Sequence, residues 1–249
     1  MNTIVCIKRV PDSATRVRVA EDGRSLDPAG VKFVINPYDE FALEEAIRRK
    51  EQAGEGSVVA IALGPADAAE SLRQALAMGA DEALLLRCEG LHDALPVSRA
   101  LADEIQSREF DLVLFGKQAI DDDNMQVPQM VAEFLGLPCA TVVVDLSVSD
   151  GRASARREVE GGQEVMEFSL PAVVSVQKGL NEPRYPSLKG IMAAKKKPLE
   201  EKEVVLSPST LMLLSLDEPP APAAGRIVGE GPEAVPELIR ALREEVGAL

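Results

Sequence analysis

Three consecutive aspartates, Asp121 to Asp123, are the residues whose type and spacing most directly suggest chemistry. They lie in the stretch GKQAIDDDNMQVPQM, which begins at Gly116 and follows the apolar run FDLVLF. Carboxylates are ligands of Mg²⁺, but consecutive residues in a turn point in different directions, so three neighbours rarely share one ion. A second interpretation is a solvated helix start in which one aspartate caps the helix.

A third interpretation of this stretch is a nucleotide site, and we favour it because the stretch lies where a predicted strand ends. Gly116 would let a ligand approach the backbone, and the N–H groups of the loop and of the following helix start would face phosphate. The aspartates would then face ribose hydroxyls or water rather than phosphate.

Two further stretches are predicted at the same edge. Lys8 and Arg9 follow the first strand in CIKRVPD, which is a weak signal by itself. The stretch INPYDEFALEEA begins a helix with Asn36 at the N-cap, followed by a proline and two acidic residues, and this capping chemistry has a structural explanation. The start of such a helix is also a site for an anion or a ribose, and Tyr38 would be available there for stacking.

The stretch LNEPRYPSLKGIMAAKKKP, residues 180–198, is called the basic segment below. Residues 178–202 contain seven positive and three negative side chains in a chain whose net charge is −14. One interpretation is a connector with a solvated lysine run. The other is a recognition segment, in which an exposed apolar anchor and a basic flank contact an acidic partner.

The elements that must position these residues alternate between strand and helix. Continuous apolar runs predict strands buried on both faces of a parallel sheet, at residues 3–7, 57–63, 83–86 and 111–115. Capping and periodicity predict helices at residues 37–53, 68–78, 97–106 and 125–135. This order predicts an α/β fold with a doubly wound, mostly parallel sheet. Ligands of such sheets bind outside the carboxyl ends of the strands, here after Ile7, Leu63 and Phe115.

The remaining stretches depart from this alternation. Residues 16–34 predict an inserted hairpin with Asp22 and Gly23 at its turn, and residues 140–176 predict a β-rich segment. A linker rich in proline and alanine at residues 217–225 leads to a last helix near residues 233–246. We therefore expect one α/β domain over residues 1–190 and an extended C-terminal arm with a helix over residues 191–249, which docks on something else.

Composition excludes several classes of function. The negative net charge argues against broad nucleic-acid binding, which requires a basic face. Three scattered cysteines and the single histidine, His92, leave little basis for a zinc site or a nucleophile–histidine relay. We see neither a signal peptide nor an apolar run long enough to span a bilayer, so a cytoplasmic chain is expected.

Five stretches in this order resemble the β subunit of electron-transfer flavoproteins. They are KRVPD at Lys8, NPYDEFALEEAIR at Asn36, ALAMGAD at Ala75, GKQAIDDDN at Gly116 and the basic segment at Leu180. The resemblance covers about residues 1 to 200 and is specific because five pieces match in order.

The resemblance implies an electron carrier rather than an enzyme, with an adenine-nucleotide α-hydrolase-like, Rossmann-like fold. Members pair with an α subunit that carries most of the FAD site, while the β subunit holds AMP as a structural ligand. Electrons arrive from flavin dehydrogenases, such as acyl-CoA dehydrogenases, and leave to a membrane quinone oxidoreductase. The C-terminal arm would then dock on the α subunit.

The resemblance also implies roles for individual residues. The nucleotide contacts would be Cys6, Asn36, Pro37, Tyr38, Asp39, Leu63, Gly116, Lys117, Gln118, Ala119, Ile120, Asp121, Asp122, Asp123, Asn124, Met125, Gln126 and Val127. The contacts with the dehydrogenase would be Tyr185, Leu188 as the apolar anchor, Ile191, Met192, Lys195, Lys196 and Lys197. Tyr38 would lie near the dimethylbenzene edge of the flavin. Asp122 and Asp123 resemble members that hold AMP, rather than members that bifurcate electrons with a second FAD.

Two alternatives from other classes remain open at this point. A nucleotide-hydrolysing or adenylating α/β enzyme would need a phosphate loop rich in glycine and serine after the first strand, and KRVPDSATR contains one serine and no glycine. A nucleotide-sensing binding module is the other alternative.

Overall fold

The structure is a computed structural model that describes residues 1–90, 92–221 and 224–249. The chain forms two compact units, Met1–Leu216 and Asp217–Leu249. Every helix among the described residues is too short or too polar to cross a membrane.

A nine-stranded sheet lies at the centre of the first unit. Its strands are β1 (Thr3–Ile7), β4 (Val58–Gly64), β5 (Glu82–Arg87), β6 (Leu112–Gly116), β7 (Cys139–Ser149), β8 (Arg152–Val159), β9 (Gly162–Ser169), β10 (Ala172–Val176) and β11 (Leu199–Glu203). Their order across the sheet is β11-β5-β4-β1-β6-β10-β7-β8-β9. Neighbouring strands from β11 to β7 are parallel, and β8 and β9 continue the sheet in antiparallel pairing.

Helices cover both faces of the parallel part of this sheet. They are α1 (Pro37–Ala53), α2 (Ala69–Met78), α3 (Ala94–Gln106), α4 (Val127–Leu135) and the short α5 (Leu188–Ala194). One core contains Leu43 of α1 and Leu72 of α2, and the other contains Ile105 of α3 and Val131 of α4. All five residues of β1 are buried, as expected for a strand covered on both faces. The predicted doubly wound α/β fold is therefore confirmed.

The predicted insertion after β1 is an irregular hairpin. Its base is an antiparallel pair, β2 (Arg9–Pro11) with β3 (Phe33–Ile35), and its tip has a single bridge between Val19 and Leu26. Asp22 holds the turn, because its carboxylate accepts hydrogen bonds from the N–H groups of Arg24 and Ser25. Regular ladder pairing is confined to the base of the insertion.

Two elements within or after the basic segment have weak signals in the sequence. Helix α5 has only seven residues, with Gly190 in its middle, so neither periodicity nor helix propensity reveals it. Strand β11 reads LEEKE, and charged residues are depleted in strands. It forms because it pairs with β5 at the edge of the sheet, where water reaches its side chains and their charges discourage pairing with another chain.

The second unit contains the predicted last helix in three pieces. A 3₁₀ turn at Pro232–Ala234 leads into α6 (Val235–Ala241) and a π-helical turn at Leu242–Val246. The predicted linker includes residues 222–223, which lie outside the described residues. The docking of residues 191–249 on a partner stays a prediction.

Candidate functional site

The carboxyl ends of β4, β1 and β6 lie side by side. β1 pairs with β4 on one side and with β6 on the other, and both pairs are parallel. After β1 the chain adds β4 and β5 on one side and then crosses to add β6 on the other. This reversal is a topological switch point, which is where open α/β sheets bind ligands.

The carboxylate of Asp39 joins three parts of this edge. It accepts hydrogen bonds from the backbone N–H groups of Lys8 at 2.7 Å and Gly116 at 3.0 Å, and from the side-chain amide of Asn36 at 2.9 Å. Lys8 follows β1, Gly116 ends β6, and Asp39 lies in the first turn of α1. Only 6 % of Asp39 is exposed, and burial raises its pKa from 3.8 to about 7 although three donors face it.

Asn36 corrects the capping prediction. It occupies the N-cap position of α1, but its side chain makes no capping hydrogen bond. Its amide instead donates to the carbonyl of Gln118 at 2.8 Å, and its carbonyl oxygen accepts from the N–H of Ile120 at 3.2 Å. The first turn of α1 therefore uses its polar side chains to hold the loop after β6, residues 117–126, which is called the site loop below.

Gly116 is surrounded so closely that no side chain would fit. A Cβ at this position would lie 2.4 Å from Oδ1 of Asp39 and 2.6 Å from Cβ of Tyr38. The sequence predicts that Gly116 lets a ligand approach the backbone, and in the structure the first turn of α1 occupies the side on which a Cβ would project. The glycine is therefore required for helix packing against the end of β6.

Two of the three aspartates of the site loop share one partner, and the third has another. The Lys8 amine contacts Asp121 at 2.8 Å and Asp122 at 2.9 Å, whereas Asp123 accepts from the Gln118 side chain. Among the described residues, no group of three histidine, cysteine, aspartate or glutamate side chains could hold a metal ion. The N-cap of α4 is Gln126, so none of the aspartates caps that helix. The structure thus gives no ligand set for the metal interpretation and contradicts the capping one.

The site loop reaches α4 through two strained residues. Asp123 and Met125 have positive φ angles of 49° and 53°, a conformation that is costly for non-glycine residues and often occurs at functional sites. Helix α4 begins at Val127 without a side-chain cap, and Pro128 lies in its first turn as predicted. The uncapped N–H groups and the positive end of the helix suit an anion.

The other predicted nucleotide contacts occupy different environments. Lys117 places its amine 5.0 Å from the centre of the half-buried Tyr38 ring. Cys6 and Leu63 pack into the core beneath α3 and α4, and burial raises the pKa of the Cys6 thiol. Cys6 and Leu63 therefore reach the carboxyl edge only through their backbone, whereas the side chain of Asn36 contacts the site loop and that of Asp39 contacts the end of β6.

The basic segment presents apolar side chains to solvent. Tyr185 is 94 % exposed, Leu188 is 84 % exposed and Met192 is 65 % exposed, and Ile191 between them is also exposed. Single exposed apolar residues are common, whereas four of them within eight residues of the chain are typical of an interaction surface. Of the three lysines that follow α5, Lys195 and Lys196 are exposed.

Lys197 differs from its two neighbours because its amine is engaged within the chain. It donates to the carbonyl of Leu76 at 3.0 Å and to the carbonyl of Ala80 at 2.6 Å, at the end of α2. A cation at a helix C-terminus satisfies free carbonyl groups there and complements the helix dipole. Lys197 therefore fixes the end of the basic segment, and its charge is less available to a partner than the charges of Lys195 and Lys196.

A cluster on α1 that sequence reasoning missed holds the start of the basic segment. Arg184 contacts Glu44 at 2.8 Å and Glu51 at 2.7 Å, and Asn181 donates to the carbonyl of Phe41 at 3.1 Å. Glu44 is almost fully buried, so its ion pair is less screened than a surface pair. Local sequence patterns do not predict these contacts, because the paired residues lie more than 130 positions apart in the sequence.

A comparison with protein families decides what this arrangement belongs to. The model of the electron transfer flavoprotein domain matches residues 25–207, which include the site loop and the basic segment. The chain belongs to the electron transfer flavoprotein family. The resemblance inferred from the five stretches is thereby confirmed, and with it the prediction of an electron-carrying subunit rather than an enzyme.

Other members of the electron transfer flavoprotein family match this chain over nearly its whole length. The electron transfer flavoprotein subunit beta of Bradyrhizobium diazoefficiens is 42 % identical over 100 % of both chains. The protein of the same name from Syntrophomonas wolfei is 42 % identical over 94 % of this chain and 92 % of its own. The human one is 39 % identical over 98 % of this chain and 97 % of its own.

Proposed function

We propose that the chain is the β subunit of a heterodimer, binds AMP at the carboxyl edge of its sheet, helps to hold FAD and docks flavin dehydrogenases. The observation that carries this proposal is the buried Asp39 carboxylate, which joins the ends of β1 and β6 to the start of α1 at the switch point. Family membership adds the association with a flavin, and the names of the relatives add an α subunit as the partner.

The residues in and after the site loop fit the phosphate group of a nucleotide. The uncapped start of α4 offers N–H groups to a phosphate, and the Lys117 amine lies at the same edge. Lys8 neutralises part of the charge of Asp121 and Asp122, which would otherwise repel the phosphate. We assign AMP a structural role here, and we assign the chain to the non-bifurcating type in which no second flavin takes this place.

A separate surface of the first unit fits the α subunit. Residues 211–214 read LMLL, and Leu211 and Met212 are 73 % and 78 % exposed. Asp93 holds this strip by accepting from the N–H groups of Thr210 and Leu211, at 2.9 Å and 3.1 Å. An apolar strip held in place by hydrogen bonds is suited to burial against a partner. This supports the proposed docking of the C-terminal arm on the α subunit.

FAD, when bound at the interface with the α subunit, would supply the redox chemistry, and the protein would position it and tune its potential. In this proposal electrons arrive from dehydrogenases, such as acyl-CoA dehydrogenases, and leave to a membrane quinone oxidoreductase. The location in the cytoplasm belongs to the same proposal.

The basic segment is the proposed docking site for the dehydrogenase. Leu188 begins α5, with Ser187 capping the helix by accepting from the N–H of Gly190 at 3.0 Å. The helix is therefore preformed, so little conformational entropy is lost when Leu188 enters a pocket of the partner. Lys195 and Lys196 lie beside it and would steer the encounter with an acidic surface.

We expect Leu188→Ala to weaken docking by about 1–3 kcal/mol, because a central apolar anchor contributes most of its energy through burial in the partner. The measurement is the rate of flavin reduction in the purified heterodimer as a function of dehydrogenase concentration. The variant should require a higher concentration for half-maximal rate, with unchanged flavin content.

The matched control for Leu188 is Val165→Ala, since Val165 is 65 % exposed on β9 and lies outside the basic segment. Its saturation curve should coincide with that of the wild type. A Leu188→Ala variant that also saturates like the wild type would refute the docking role of α5.

A further inference from the structure

Helix α1 contacts both the site loop and the basic segment. Its first turn holds the site loop, and its later turns hold the start of the basic segment. Asn36 and Glu44 are eight residues apart, which corresponds to about 12 Å along a helix. The two sites are therefore joined by a single rigid element rather than by a chain of flexible side chains.

The hydrogen bonds at the first turn of α1 leave the site loop little freedom to move independently of the helix. The partners of Asn36 and Asp39 in and before the site loop are backbone groups, namely those of Gln118, Ile120 and Gly116. The hydrogen of Gly116 faces Asp39 and Tyr38 so closely that even a methyl group would collide. A displacement of the loop backbone must therefore be shared by the first turn of α1.

The contact at the later turns is equally specific. Arg184 uses its planar fork to bridge Glu44 and Glu51, with contacts to both oxygens of each carboxylate. Such bidentate pairs depend strongly on geometry. Asn181 adds hydrogen bonds to the carbonyl of Phe41 and the carboxylate of Glu45, both at 3.1 Å. Arg184 is directly followed by Tyr185, the first of the exposed apolar residues of the basic segment.

We propose that α1 couples the two sites, so that nucleotide bound in the site loop positions the basic segment for docking, with Arg184 as the positioning residue. The coupling rests on the proposed nucleotide site. The site loop contains two residues in strained backbone conformations, Asp123 and Met125, which contacts with a bound nucleotide would hold in one arrangement. Because coupling between sites is reciprocal, a docked dehydrogenase would tighten nucleotide binding by the same factor.

Amide hydrogen exchange of the heterodimer, reconstituted with FAD and either with or without AMP, tests this coupling. In the wild type, AMP should slow exchange in residues 117–126 and also, by about fivefold or more, in residues 181–194. In Arg184→Ala, AMP should still protect the site loop but no longer residues 181–194. Arg184→Lys, which keeps the charge but loses the planar fork, should show the same separation if geometry carries the coupling.

The control is Arg157→Ala, which removes a half-buried arginine paired with Glu164 on the β8–β9 hairpin. It should retain protection in both regions. Protection of the site loop alone in the wild type overturns the coupling but leaves the nucleotide site intact. If AMP protects neither region, the proposed nucleotide site fails as well, and the coupling fails with it.

Discussion

Gly116→Ala should lower the free energy of unfolding by about 1–3 kcal/mol, the usual cost of forcing an extra methyl group into a packed site. The new Cβ would overlap Oδ1 of Asp39 and Cβ of Tyr38, so α1 must move away from the end of β6. That movement lengthens the hydrogen bond between Asp39 and the N–H of Gly116, and it displaces the site loop. We therefore expect a heterodimer that unfolds at lower urea concentration and retains less AMP.

Gly162→Ala is the matched control for this prediction. A Cβ at Gly162 meets no atom within 4 Å, and this glycine does not have a positive φ. Its substitution should change the free energy of unfolding by less than about 0.5 kcal/mol, as is usual on an open surface. Equal urea midpoints for the Gly116 and Gly162 variants would show that α1 does not pack against β6 as described.

Asp39→Ala should produce a still larger loss of stability. It leaves the N–H groups of Lys8 and Gly116 and the amide of Asn36 without their acceptor, and an unsatisfied buried group costs about 1–3 kcal/mol. The net loss of stability is smaller than the sum of these three costs, because burial already disfavours the charged carboxylate, as its raised pKa shows. A net loss of about 3 kcal/mol is expected from urea unfolding at pH 7.

The pH dependence of the Asp39→Ala effect tests the cause separately. Burial raises the pKa of Asp39 from 3.8 to about 7, so between these values the folded chain holds a proton that the unfolded chain has released. The contribution of Asp39 to the free energy of unfolding is therefore fully present below about pH 4, and it is lost as the pH rises through 7. The loss caused by Asp39→Ala should accordingly be larger at pH 5 than at pH 8. A larger loss at pH 8 would mean that the three donors outweigh burial.

Local signals explain which parts of the fold could be predicted from the sequence. The bounds of α1 follow from Asn36, Pro37 and Gly54, which lie at its two ends. The central strands are continuous apolar runs, and their carboxyl ends meet because parallel strands share one edge. The position of the candidate site therefore follows from the order of elements alone.

Long-range packing explains what could not be predicted. The Gly116 hydrogen and the Asn36 side chain make contacts between α1 and the end of β6, about 80 residues away. The capping interpretation of Asn36 was therefore wrong, and the packing role of Gly116 has no signal among its neighbours in the sequence. The pairing of Arg184 with Glu44 depends on how the whole sheet is assembled. Strand β11 contradicts its own β-propensity and is formed only by its neighbour β5.

The nucleotide content of the purified heterodimer tests the central claim most directly. The complex of this chain with its α subunit is denatured, and the released nucleotides are separated and quantified by chromatography. We predict one FAD and one AMP per heterodimer for the wild type, and one FAD with markedly less AMP for Gly116→Ala. A wild-type heterodimer that releases FAD without AMP, or an AMP content unaffected by Gly116→Ala, would contradict an AMP site at this edge of the sheet.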